Sequence, residues 1–96
     1  MYYDRHGKQI SMAEWAALLE SDTRFDYRRV KVTDLGDDRR LSTVWLGLDH
    51  DFMGNGPPQI FETMLFPEQD CRRWSTEQEA IEGHDQWLAE LELSEK

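Results

Sequence analysis

The residues best suited to chemistry are Asp49-His50-Asp51, with Asn55 close behind. Carboxylate oxygens and an imidazole beside a Gly-rich loop are the donors that a cation site needs. Glu62 and His84 would add a second imidazole and a further carboxylate, enough for a zinc-like shell or an acid-base pair if the fold brought them together. The spacings match no H-E-x-x-H, EF-hand or Cys/His arrangement, and acidic loops serve chiefly as turn-formers. The expectation is therefore no metal, no cofactor and no catalytic residue, with Asp49, His50 and Asp51 the weak metal candidates.

Each remaining polar group has a structural reading beside its chemical one. His84 sits on an apolar helical stripe, where a hydrogen-bonded core histidine is the commoner explanation. Glu62 interrupts an apolar strand and reads as an outward side chain or a salt bridge to Arg29 or Lys31 across a sheet. Gly54-Asn55-Gly56-Pro57-Pro58 lacks the Lys-Ser/Thr ending and the following helix of a phosphate loop, so it reads as a connection stiffened by prolines. Cys71 is the single cysteine, which excludes an internal disulfide. Arg72 and Arg73 beside it do not make it a nucleophile without a base.

These groups must be positioned by a small fold. At 96 residues, with 39% hydrophobic and 32% charged residues, the chain is expected to form one domain over 1–96 around one core. Tyr2-Tyr3 to Ile10 reads as a strand or hairpin turning at Gly7. Ser11 with Glu14 is a capping box, so a helix begins at Met12 and presents Met12, Trp15, Ala16 and Leu19 on one face. Period-two patterning predicts strands over Tyr27 to Leu35, Leu41 to Leu48 and Gln59 to Phe66, with Gly36-Asp37-Asp38-Arg39-Arg40 as a turn. The middle strands carry large apolar groups on both faces, which predicts cover on both sides or an exposed adhesive patch. Glu68 to Trp74 reads as a connector.

Ser75 or Thr76 caps a last helix over about 76–92, with the final residues frayed. Ala80, Ile81, His84, Trp87, Leu88 and Leu91 form its apolar stripe, and Gly83 within it implies close approach by a neighbour. The expected class is α+β: a three- to four-stranded antiparallel meander packed with two amphipathic helices.

Charge is the strongest guide to partners. The net charge is −9, which disfavours direct binding to nucleic acid or an anionic membrane and favours a protein with a basic surface. From Thr76 onward seven carboxylates face one basic residue, whereas Arg24 to Arg40 holds six basic residues against four acidic ones. Part of this asymmetry is expected to be internal, with the acidic helix near the basic strand. Glu79, Glu82, Asp85, Glu90 and Glu92 are the expected partner contacts. Trp45 is a further anchor if it is uncovered, although cover by a helix is the preferred reading. MYYDRHGK lacks the apolar core of a signal peptide and no run reaches membrane-spanning length, so a cytoplasmic protein is expected.

The strings TVWLGLDHDF, GPPQIFETMLF and STEQEAIEGHDQW, with YYDRHGKQISMAEWAALLE, resemble a family of small uncharacterised proteins encoded by phages and prophages. The likeness runs from Tyr2 to about Trp87. It implies an accessory protein working in the cytoplasm of a host cell, in a setting where small acidic proteins inhibit CRISPR complexes and other nucleic-acid-binding defences. The leading expectation is thus a binding module, in its sharpest form an anti-CRISPR-like inhibitor acting by DNA mimicry. A small metal- or acid/base-dependent enzyme using His50, Glu62 and His84 is the alternative. A self-associating structural phage component, with a homodimer as its simplest form, is the third.

Overall fold

Ser11 sets the first helix. Its side chain accepts the N–H of Glu14 while the Glu14 carboxylate accepts the N–H of Ser11, so the capping box closes as expected. In the computed structural model, which describes residues 1–49 and 56–94, this helix, α1, spans Met12–Ser21. Before it, β1 (Tyr2–Tyr3) and β2 (Gln9–Ile10) pair antiparallel around Gly7, which takes a left-handed φ of 87°.

The main sheet is an antiparallel meander of β3 (Arg29–Gly36), β4 (Arg39–Trp45), β5 (Phe61–Phe66) and β6 (Asp70–Trp74), in that spatial order. Asp37 and Asp38 turn β3 into β4 with φ of 52° and 64°, the two left-handed residues that a tight hairpin with right-twisted strands requires. The fold is α+β, as the patterning predicts. The segment expected as a connector, Glu68 to Trp74, instead supplies the fourth strand. β4 ends earlier than expected, at Trp45, and Leu48 makes only an isolated bridge to Tyr2.

The last helix, α2, spans Glu77–Ser94 and lies across all four strands. Thr76 is its cap: its Oγ1 accepts the Glu79 N–H at 3.1 Å. Leu41, Thr43 and Trp45 on β4 and Phe61, Thr63 and Leu65 on β5 point to this side and are buried. Each large apolar side chain so enclosed stabilises by roughly 1.5–3 kcal/mol. Trp45 is 1% exposed, packed with Ile60, Phe61 and Ala80 and edge-on to Tyr27. Cover is thus what the structure provides, and the alternative role of Trp45 as a surface anchor is corrected. Gly83 gives the expected close approach, because a Cβ there would fall 2.2 Å from the Trp74 ring.

A register shift between Arg29 and Lys31 changes the phase of β3. Beyond it Lys31 and Thr33 turn toward α2, while Val32 faces away and is 44% exposed. The other face of the sheet has no helix over it among the described residues.

Candidate functional site

Two surfaces and one buried network are built from the residues that the sequence singles out. α2 has no basic residue and divides its acids between its two sides. Toward the sheet, Glu77 pairs with Arg5, Asp85 with Lys31, and Glu90 with Arg72 at 2.8 Å. Arg72 also lies over the Trp87 ring, 4.2 Å from its centroid. The expected attraction between acidic helix and basic strand is therefore real, and it reaches β6 and the N-terminal hairpin loop as well. Of the five carboxylates expected at a partner, Asp85 and Glu90 are engaged in holding the helix down. Glu79 belongs to the Thr76 cap, through the backbone bond and a 3.1 Å contact between the Thr76 hydroxyl and its own Oε1. Glu82 and Glu92 face solvent, with Gln78 donating to Glu82 at 2.9 Å.

Beneath α2 lies a polar chain inside the core. Trp74 Nε1 donates to Thr63 Oγ1 at 2.9 Å, Thr63 and Thr43 hydroxyls are 2.5 Å apart, Thr43 Oγ1 is 2.7 Å from His84 Nδ1, and His84 Nε2 is 2.9 Å from Thr33 Oγ1. Trp74 can only donate, so Thr63 accepts from it and hands its own proton to Thr43. Thr43 then donates to Nδ1, which makes the N–H of His84 the one on Nε2. This direction uses every donor in the chain, whereas the reverse leaves the buried Thr63 hydroxyl proton without an acceptor. Burial holds the His84 pKa below its ordinary value and Lys31 lowers it further, against a smaller opposing pull from Asp85. His84 is fully buried and neutral, a core histidine.

Glu62 does not meet it. It lies on the opposite face of β5 and binds Arg73 at 3.1 Å, the cross-strand salt bridge being to β6 and not to Arg29 or Lys31. An acid-base pair of Glu62 and His84 is corrected on this ground, since the sheet separates them. Asp49 accepts the Gln59 N–H at 3.1 Å. His50, Asp51 and Asn55 lie outside the described residues, and among the described residues no group of three His, Cys, Asp or Glu converges as metal ligands. Cys71 is exposed.

The uncovered sheet face presents three rows of side chains fixed by the strand register. They run Arg29, Val44, Glu62, Arg73; then Val32, Ser42, Met64, Cys71; then Asp34, Arg40, Phe66. Arg40 lies over the Phe66 ring at 4.3 Å. A recess of about 600 Å³ opens between Phe25, Arg29, Val32, Arg40 and Phe66. Phe25 stands at its rim, half-exposed, with a left-handed φ of 63° and the Arg28 guanidinium 3.9 Å from its ring. The loop that carries it is organised by Asp22, whose carboxylate accepts the N–H groups of Tyr27 and Arg28 at 2.9 and 3.0 Å. Burial pushes the Asp22 carboxyl up, but those bonds and the Arg28 side chain outweigh it and leave its pKa lowered.

Thr33, Thr43 and Thr63 are the residues that sequence reasoning misses. Their only signal is that three threonines sit on predicted strands, and nothing in the strings aligns them with His84. No helix among the described residues is long and apolar enough to cross a membrane. No protein-family model matches the chain, and no curated protein and no solved structure matches it either.

Proposed function

We propose that this chain is a binding module that engages a protein with a basic surface through the outward carboxylates of α2. The observation that supports this reading is the acidic end of the helix. Glu92 lies in the last turn of the described helix, where the helix dipole already presents negative charge and where no basic residue stands among the described residues. A carboxylate there costs about 0.3–1 kcal/mol, so the fold carries a local electrostatic conflict that a cationic partner would relieve. The ion pairs of Asp85 and Glu90 keep α2 against the sheet, so Glu82 and Glu92 are presented from a fixed rail.

The resemblance to phage and prophage proteins makes the partner a host component. The sharpest form of the reading is inhibition of a nucleic-acid-binding defence complex, with carboxylates standing in for phosphates in a Lys/Arg-lined groove. The test is affinity capture from a bacterial host lysate at low and at high salt. Capture that weakens with salt and is lost in a Glu82→Lys, Glu92→Lys variant supports the reading. Capture unchanged by either overturns it.

A further inference from the structure

The uncovered sheet face differs in charge from the rest of the molecule. Its rows hold three guanidiniums, Arg29, Arg40 and Arg73, against two carboxylates, Asp34 and Glu62, in a chain whose net charge is −9. Arg29 and Arg40 have no carboxylate at salt-bridge distance among the described residues, although Arg5, Arg28, Lys31, Arg72 and Arg73 all do. Between the charged rows lies a central row that is mostly apolar, with Val32 44% exposed.

We propose that this face binds a second copy of the chain in a symmetric dimer whose two-fold axis runs across the strands at the central row. Rotation about that axis lays each charged row over the other. Arg29 then meets the partner's Asp34, and Asp34 meets the partner's Arg29, while Val32 and Met64 pack on their own counterparts. Arg40 falls diagonally across from the partner's Glu62. The same residue is never opposed to itself in the charged rows, so the pattern is self-complementary, as an isologous contact demands. Sheets packed face to face at the usual small angle tolerate such an arrangement.

Two further features favour a second copy over other occupants. Like copies of an acidic protein repel, and this face, with three guanidiniums against two carboxylates, opposes that repulsion. The acidic backs of α2 lie on the far side of each sheet, so the dimer keeps them apart and leaves both free. Phe25 supports the same face independently. An aromatic residue held in the left-handed region is strained, and here it places an exposed ring at the rim of the recess, where a partner would cover it.

Sedimentation of the full chain over a range of concentrations tests this. A monomer–dimer equilibrium is expected, weakened at least tenfold by Arg29→Asp and restored by combining Arg29→Asp with Asp34→Arg. Because Asp34 also accepts the Gly36 N–H in the turn, Ser42→Arg is a second variant; it puts a charge at the centre of the face and should leave a folded monomer by circular dichroism. A wild type that stays monomeric at millimolar concentration overturns the proposal. So does a dimer indifferent to Arg29→Asp and Ser42→Arg, or a double variant that is folded by circular dichroism yet no better than the single. A face that instead takes up an oligonucleotide or an acidic peptide while the chain remains monomeric also overturns it.

Discussion

The Nδ1 of His84 lies 2.7 Å from the Oγ1 of Thr43, and this contact joins α2 to the middle of the sheet through a buried chain of hydroxyls. It explains how a helix with an acidic exterior is fixed in register over a sheet, since polar partners that must meet inside a core specify one arrangement. It also makes His84 a neutral group whose protonation is incompatible with the chain's direction.

Stability should therefore fall in mild acid. Well above pH 6.5 neither the folded nor the unfolded chain protonates this imidazole. Below it the unfolded chain takes up a proton that the folded one resists, because the folded pKa is lowered. The unfolding free energy should drop by up to about 1.4 kcal/mol per pH unit between 6.5 and the folded value. Urea titrations from pH 7 to pH 5 measure this slope, and His84→Gln should remove most of it.

Thr63→Val preserves shape but strands the Trp74 N–H and the Thr43 oxygen. A cost of about 1–3 kcal/mol is expected from the unpaired buried groups. Thermal or urea unfolding at pH 7 reads it directly, and a neutral result would mean that Trp74 finds another acceptor.

Gly83→Ala sets two effects against each other. Helix propensity favours Ala by about 1 kcal/mol. The new Cβ would lie 2.2–2.7 Å from ring atoms of Trp74, whose Nε1 is tethered to Thr63. Because the ring is rigid and pinned, overpacking should win with a net loss of about 1–3 kcal/mol. Gln86→Ala on the exposed arc serves as the control and should be close to neutral.

The elements legible in the sequence are those fixed by local chemistry. Ser11 and Glu14 name their own cap, Gly7 its turn, and Gly83 its close neighbour. β6 escapes because its inward positions before Trp74 are Asp70 and Arg72, charged residues where an aliphatic pattern would be expected, with Arg72 lying over the Trp87 ring. The phase of β3 escapes because a bulge after Arg29 sends Val32 outward. The threonine and histidine chain escapes for a similar reason: Thr33, Thr43 and Thr63 look like solvent-face residues until the register pairs Thr43 with Thr63 and turns Thr33, one row along, to the same face under His84. Charge on α2 is legible as a total, but its division between clamps and free carboxylates depends on which bases the sheet brings alongside.

Asp85→Asn and Glu90→Gln should each cost at most about 1 kcal/mol, because both pairs are at the surface. They should also weaken partner capture less than changes at Glu82 and Glu92. Parallel unfolding and capture measurements on the four single variants check this ordering.

The most direct test of the binding account is carboxyl labelling of the chain alone and in its captured complex, read residue by residue by mass spectrometry. Protection of Glu82 and Glu92, with the exposed Glu20 on α1 still labelled, is the expected result. Unchanged labelling of Glu82 and Glu92 in a saturated complex would contradict it.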